Sequence, residues 1–597
     1  MSWRFLLLLV LALAEPVRAD VFVVTSVADD DDGTCGDGHC TLREAINAAN
    51  DAEGRDSILF LIRPFDGAVK TIRPLAALPL ISDPAGVDVS GLSQPGTAPQ
   101  TATDGTFNAH LAIELDGSDA GAPVNGLVVV GGSTRIEGLV IKRFSSTGIS
   151  LAAGAGHEVI GNVIGTDAEG EVSEGNNDDG IAILAPGCRI VQNLVSANNR
   201  DGVQLSGESS ATAVEGNLIG VSAAGLPVLG NRRAGVAVFT HANQIGGLGS
   251  GTGNVIAGNF DVGVALVTSG AHDNVVQSNQ IFNNVSHGVM ITVEAGRNRV
   301  ARAGGFPLPS NTIRDNGGNG VCVTASAGTP NSVIPFRFER NELLGVDYTG
   351  GMEDEFGITP NDPLDADVGP NNLQNSPVLR AAVTDGVTTR VYGDFSGEPH
   401  RDLVVTFYAA AACHRSGRGD GRIVGGSLVA QTDANGESSG EAVIDAIEGE
   451  YVSAIAIDVD GNSSEPSNCV PVLFGPTPTP VPPASPTATS AASPTPSATA
   501  PDATETPTAL LTATNTPEST ASPTGTETPV PSATATHTPL PLRGDANCDA
   551  RVTVADVGAA VRLMAIATVE CGVDADGDGA ADAGDVDAIV TLLFAGS

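Results

Sequence analysis

The sequence predicts a mainly β protein. It reads as a solenoid of short stacked strands, a small antiparallel β-sandwich, a disordered Pro/Thr/Ser linker and a small helical tail. Three observations carry this. Asn and Gly-Ile/Val recur at a short period through the first half of the 597 residues. Alternating strand-like runs replace that period from about Arg380. The composition then collapses to Pro, Thr, Ser and Ala before two acidic twelve-residue stretches.

The chain opens "MSWRFLLLLVLALAEPVRAD", with Arg4 ahead of an apolar run, Phe5 to Ala14, and small residues Val17 and Ala19 before Asp20. This is the pattern of a signal peptide, residues 1–19, too short for a membrane anchor. The mature chain is expected to be secreted or held at the cell surface, with no membrane span. Eight cysteines fit an oxidising compartment. The expected pairs are Cys35 with Cys40, Cys413 with Cys469 and Cys548 with Cys571, leaving Cys188 and Cys322 as buried thiols. A formal charge of −41 argues against nucleic acid or an anionic membrane as partner. It also argues against a strongly anionic polysaccharide, which needs basic subsites; Lys70 and Lys142 are the only lysines.

Residues 20–65 read as a cap for one end of the solenoid. A strand run, Val21 to Val27, precedes an acidic turn, Asp29 to Asp32, read as a solvated turn. Thr41 then N-caps a helix with Glu44 three residues on. Leu42, Ala45, Ile46 and Ala49 share one helical face. "CTLREAINAAN" resembles the CSLREA N-terminal segment of exported bacterial β-helix proteins, with Thr41 in place of Ser. The resemblance implies a surface or secreted context and no chemistry.

Across residues 66–350, Gly148, Gly180, Gly202, Gly235, Gly263, Gly288 and Gly320 each precede Ile or Val. Four residues before the last six stand Asn176, Asn198, Asn231, Asn259, Asn284 and Asn316. A second row, Asn193, Asn254, Asn279 and Asn311, precedes these, and Asn162 and Asn217 join it once two nine-residue inserts are allowed for. The motif is N-x-[IV]-x-x-N-x-x-x-G-[IV], with a coil of about 22 to 25 residues. Ile and Val point inward. Asn and Gly are expected to supply the left-handed corners, and stacked Asn side chains to bond to the next coil, about 4.8 Å away. The pattern resembles right-handed parallel β-helix proteins. The inserts read as loops lengthening one corner.

In this alignment Asp179 and Asp201 occupy the step before the glycine on successive coils, while Asp178 faces Arg200 and Arg233 faces Asp261. One reading is a ladder of compensating surface charges, worth about 0–1 kcal/mol per pair. The other makes Asp178, Asp179 and Asp201 the candidate catalytic carboxylates of a polysaccharide hydrolase or lyase. Residues 20–347 contain neither Trp nor Tyr for stacking sugar rings, and the first Tyr is Tyr348.

Residues 351–379 form an extended connector. Residues 380–473 predict the β-sandwich, a spacer or binding unit closed by Cys413 and Cys469. Its Arg418-Gly419-Asp420 is too short to indicate adhesion. Residues 474–542 form the linker. The tail, 543–597, holds two calcium-loop frames with oxygen ligands at positions 1, 3, 5 and 12. The first offers Asp545, Asn547, Asp549, the Arg551 carbonyl and Asp556. The second offers Asp574, Asp576, Asp578, the Ala580 carbonyl, Asp582 and Asp585. Gly579 stands at the sharp turn of the second, where the first has Ala550, so the second loop is expected to bind tighter. The duplicated loops resemble a type I dockerin. That implies calcium-dependent folding and docking onto a cohesin-like surface protein. Hydroxyl residues common in that family at loop positions 10 and 11 are replaced here by Val554, Ala555, Ala583 and Gly584, a departure from the typical cohesin-binding pattern. The favoured function is an exported binding or structural scaffold with a calcium-dependent docking tail, possessing a face for extracellular glycan; the alternative is a polysaccharide-degrading enzyme.

Overall fold

The computed structural model describes residues 19–36, 38–300, 311–334 and 337–475. Residues 1–18 of the expected signal peptide, 1–19, nearly all of the expected linker, and the whole tail expected to bind calcium, with Cys548 and Cys571, lie outside them.

Each coil lays down three short strands, one on each of three sheets. Glu158–Ile160, Val163–Ile164 and Ile181–Ile183 make one coil; Arg189–Val191, Leu194–Val195 and Val203–Leu205 make the next. They stack parallel and in register, Val159 on Ile190, Ile164 on Val195 and Ile181 on Val203. The first sheet has 11 strands and the third 9. The inward side chains, such as Ile190, Val195 and Val203, are fully buried in one continuous core. This is a right-handed parallel β-helix.

Strands this short leave the corner amides without ladder partners, and an unpaired buried amide is costly. Asparagine supplies them. Between the first and second sheets the row runs Asn162, Asn193, Asn217, Asn254, Asn279, Asn311. Asn217 donates its backbone N–H and its Nδ2 to Asn254 Oδ1, at 2.9 and 3.0 Å, and its Nδ2 also reaches the Ile190 carbonyl at 2.7 Å. Between the second and third sheets Asn176 begins a row that Asn341 continues beyond Asn316, with Asn316 N–H on Asn341 Oδ1 at 3.2 Å. A third row closes the third corner: Asn243 bonds to Asn274 Oδ1 at 2.9 Å, and Asn298 and Asn331 follow. This third row stands at varying distance from the glycine and lies outside the repeat motif. Glycine supplies left-handed corners as expected, at Gly161 (φ 61), Gly216 (φ 63) and Gly258 (φ 71), but the asparagines of the first two rows do not; on other coils the residue before them does, as at Gln192 (φ 53), Ala197 (φ 62), Asn283 (φ 53) and Arg340 (φ 53). The Asn side chain is thereby turned inward to stack.

The three outer faces differ. The first carries alternating charges: Arg135 to Glu158 at 2.9 Å, Glu158 to Arg189 at 2.9 Å, Arg189 to Glu215 at 4.0 Å. The second is apolar and covered. Val140, Val163, Leu194, Leu218 and Val255 point outward yet are buried, packed by Phe107 and Leu111 of a long loop. The two inserts join this layer: Phe107 N–H donates to the Ala223 carbonyl at 2.8 Å and Ala223 N–H to the Gly170 carbonyl at 2.9 Å. They are a second layer of cover rather than simple corner extensions. Beyond this cover the same row changes to Gln280, Thr312 and Arg337. The third face presents Ser150, Ala182, Gln204, Ala237, Ala265 and Met290.

Both ends are closed. At the N-terminal end Val21–Val24 already pairs with Asp56–Phe60 as the first strands of the first sheet, so the expected boundary at residue 66 falls within the first turn. Helix Leu42–Asp51 covers them with Leu42, Ala45, Ile46 and Ala49 buried. Its capping box is formed: Glu44 N–H donates to Thr41 Oγ1 at 3.2 Å and Thr41 N–H to Glu44 Oε2 at 2.7 Å. Arg43 clamps Asp29 at 2.7 Å and donates to the Ala77 carbonyl at 2.7 Å, so the acidic turn is held down at Asp29 rather than merely solvated. Cys35 is bonded to Cys40.

At the other end stands the sandwich. Val378–Thr384, Thr389–Ser396 and Glu437–Ile444 form one layer; Asp402–Ala410, Gly421–Gln431 and Tyr451–Asp458 form the other; Val470–Phe474 pairs with both. Cys413 is bonded to Cys469. Gly421–Gln431 adds antiparallel to the last strand of the second sheet, Arg337 opposite Arg422, and Tyr408 packs its ring on Phe338 at 4.8 Å. The module is therefore the lid of the solenoid, not a free spacer. Gly419 sits against Ser453 and Asp420 is buried, so the Arg-Gly-Asp stretch is part of this packing.

Replacing Asn217 by Ala removes an oxygen that accepts two N–H groups and an amide that donates to two carbonyls. We expect Asn217→Ala to lower the unfolding free energy by about 2–4 kcal/mol, and exposed Asn199→Ala by under about 0.5 kcal/mol, both read by urea denaturation.

Candidate functional site

The step before each coil's glycine is occupied by Asp179, Asp201, Ala234, Val262, His287, Asn319 and Leu344 in turn. The backbone N–H there points along the solenoid axis toward the preceding coil. Asp179 Oδ1 accepts the Asp201 N–H at 3.0 Å, and Asp201 Oδ1 accepts the Ala234 N–H at 3.0 Å. Three coils on, His287 Nδ1 accepts the Asn319 N–H at 2.9 Å and Asn319 Oδ1 accepts the Leu344 N–H at 2.9 Å. Asp, His and Asn thus do the same job at equivalent positions: each caps an amide of the next coil.

Asp179 and Asp201 are 3 % and 2 % exposed. Burial, and then the neighbouring Asp201, push the Asp179 carboxyl up to about 7. Burial also raises Asp201, opposed by Arg233, whose guanidinium lies 4.0 Å away. Asp178 is half-buried and pairs with Arg200 at 2.7 Å. Arg233 meets Asp261 only through the backbone, the Asp261 N–H donating to the Arg233 carbonyl at 3.3 Å. A glycosidase pair must face a substrate bond from opposite sides with free oxygens. These two carboxyls are stacked one above the other, buried, and each has an oxygen committed to an amide.

A second charged group was not singled out by the sequence. Lys142 lies buried on the second sheet between Glu114, at 2.9 Å, and Glu174 of the first insert. Burial disfavours the ammonium, but the two carboxylates outweigh it and raise its pKa. Asp116 beside it accepts from Arg143 and, at 3.1 Å, from Arg73. The only signal was that Lys142 is one of two lysines. With each charge paired, the group pins the insert onto the sheet.

Two groups of described residues bring three ligand atoms within 4.8 Å of one another. In Asp32, His39 and Glu44 the third member is spent on the capping box and on the Asp32 N–H at 2.9 Å. Asp362, Asp365 and Asp367 in the connector offer three carboxylates, the donor type a hard cation takes. Asp365 accepts from Asn375 N–H at 2.7 Å and Gln374 Nε2 at 3.0 Å, while Asp367 Oδ1 is enclosed without a hydrogen-bond partner. Burial and the neighbouring carboxylates push Asp365 up to about 7. The calcium ligands expected from the sequence, Asp545 to Asp585, lie outside the described residues. Cys188 and Cys322 are buried free thiols.

No family model matches the chain, and no curated protein sequence matches it. Among solved structures it is similar to the periplasmic alginate epimerase AlgG, at 14% identity and TM-score 0.28, over 55% of this chain and 74% of that one. It is similar to the A-module of the Azotobacter vinelandii mannuronan C-5 epimerase AlgE6, at 14% identity and TM-score 0.30, over 54% and 78%. It is also similar to tailspike protein 2 of the Escherichia coli O157:H7 bacteriophage CAB120, at 9% identity and TM-score 0.28, over 74% and 68%. At that level of likeness no residue role or activity passes from these proteins to this chain.

The raised Asp179 carboxyl sets a pH dependence. Its folded value, about 7, lies above its ordinary 3.8, so the penalty is absent below about pH 4, grows as pH rises, and is complete above about 7. Asn keeps an acceptor for the Asp201 N–H. We therefore expect Asp179→Asn to be at least about 1 kcal/mol more stable than the natural chain at pH 8 and equal to it near pH 4, measured by urea denaturation at both.

Proposed function

We propose that this chain is an exported, non-catalytic binding scaffold: a capped β-helix that presents an extended surface for extracellular glycan, tethered through its Pro/Thr linker and a calcium-dependent docking tail. The observation that carries this reading is the state of Asp179 and Asp201. The carboxylates best placed by sequence for chemistry are enclosed and serve as amide caps, interchangeable along the solenoid with His287 and Asn319. Export is supported by the signal-peptide pattern, by the resemblance of "CTLREAINAAN" to the CSLREA segment, and by two disulfides, Cys35–Cys40 and Cys413–Cys469. No helix among the described residues is long and apolar enough to cross a membrane. The docking role rests on the two twelve-residue loops and their resemblance to a type I dockerin, which would place a cohesin-like surface protein as partner.

The mature full-length chain, incubated with neutral and acidic glycans, is expected to release neither reducing ends nor unsaturated products. Release abolished by Asp179→Asn or Asp201→Asn would establish the polysaccharide hydrolase or lyase instead. For the tail, calorimetric titration with calcium is expected to show a tighter site lost in Asp574→Ala/Asp585→Ala and a weaker one lost in Asp545→Ala/Asp556→Ala. Heat unchanged by both double variants would remove the docking tail from the proposal.

A further inference from the structure

The solenoid's last strand, Val346–Tyr348, is closed over by three separate pieces of chain. Glu465 reaches in from the sandwich and is 5 % exposed. One of its oxygens accepts the Tyr348 N–H at 3.4 Å and the other the Thr359 N–H at 3.2 Å. A single carboxyl thus ties the last coil, the connector and the sandwich. Beside it Ser463 Oγ shares a hydrogen bond with the Tyr348 hydroxyl at 2.5 Å and accepts the Val333 N–H at 2.9 Å. Asn371 carries the third asparagine row into the same place, its Oδ1 accepting the Asn331 N–H at 2.7 Å.

Asp347 lies next to this tie and is 6 % exposed. Its Oδ2 accepts from Asn319 Nδ2 at 2.6 Å, but its Oδ1 is enclosed without a partner. It faces Cys322 on the coil before and Glu353 on the connector loop. Glu465 faces Asp347, Tyr348 and the guanidinium of Arg418, which also faces Asp354. Further along the same junction Asp420 is buried beside Glu339 and Arg340. Among the described residues Arg418 is the cation that faces Glu465 and none faces Asp347, so ionising both carboxyls leaves a buried charge uncompensated. Burial, reinforced by Glu353, pushes Asp347 up to about 7; burial, reinforced by Asp347, pushes Glu465 up to about 8.

We propose that this junction is a proton-dependent lock: a proton held on the Asp347–Glu465 pair keeps the connector and sandwich clamped on the last coil, and its loss frees the clamp while the coils stay stacked. Both carboxyls are raised above their unfolded values. Their contribution is therefore fully present at acid pH and is lost as pH rises through about 7 to 8. Strands Val236–Val238 and Val264–Val267 are the reference, because their own contacts are apolar side chains and neutral amide rows, while the raised Asp179 and Asp201 stand on the two earlier coils. The lock is independent of what the surface binds and of calcium docking, so it stands or falls apart from the scaffold reading.

Hydrogen exchange of the full mature chain, corrected for the intrinsic pH dependence, tests it. Between about pH 6 and about pH 9, protection of residues 346–359 and 463–468 is expected to fall about tenfold or more relative to residues 236–267. In Asp347→Asn/Glu465→Gln that relative fall is expected to vanish. A parallel response of both regions in the natural chain would overturn the lock, with no variant needed. So would an undiminished fall in Asp347→Asn alone, a change that keeps an acceptor for Asn319.

Discussion

Everything in this molecule depends on one requirement: the backbone amides at the corners of very short strands must find partners once they are buried. A coil with strands of two to five residues satisfies few of its own corner groups. Three rows of asparagine meet the need, each side chain accepting from the coil before and donating back to it. Because an Asn amide both donates and accepts, a row propagates without an odd group left over except at its ends. The short period, the glycine that follows and the left-handed residue that precedes many of the asparagines, such as Gln192, Ala197 and Arg340, go with that stacking. Gly180 and Gly202, for example, lie where an added Cβ would meet the next coil's carbonyl at 2.7 Å.

The candidate carboxylates belong to the same logic. The step before the glycine needs an acceptor on some coils and tolerates a small or apolar residue on others. An acid there is a costly acceptor at neutral pH, since burial opposes its charge, yet its geometry is equivalent to that of Asn or His. A carboxylate pair on successive coils is what catalysis and amide capping both produce in a sequence. Here one oxygen of each points along the solenoid, Oδ1 of Asp179 and Oδ1 of Asp201 each accepting an N–H of the next coil.

The outer faces divide the work. Charge alternation neutralises the first face. The second is apolar beneath the long loop and the two inserts, except where Lys142 meets Glu114 and Glu174, and turns polar at Gln280, Thr312 and Arg337 where the cover stops. Burial of Val163 and Leu218 and the existence of the inserts are thus one feature: each lengthened corner supplies cover for the row beneath it. The third face is floored by Ser150, Ala182, Gln204, Ala237, Ala265 and Met290. The ends are treated in the same spirit, with helix Leu42–Asp51 over the first turn and the sandwich over the last. The C-terminal closure is made with carboxyls as well as apolar side chains, which gives it a sensitivity to pH that the amide rows lack.

The sequence by itself determined the repeat, its inward Ile and Val, two of the three asparagine rows, the capping box at Thr41 and Glu44, and the pairing of Asp178 with Arg200. These are local or strictly periodic, so spacing along the chain equals position in space. The third row escaped alignment because its members stand before the first sheet at a variable distance from the glycine, and Asn371 joins it from the connector. Tertiary structure alone decided the rest. It set the inserts over the second face, made the sandwich a lid, enclosed Asp420, drew Lys142 between Glu114 and Glu174, and brought Glu465 against Tyr348. Each of these joins residues from different coils or domains, where no periodicity links sequence distance to contact and only the packing of one surface on another fixes which groups meet.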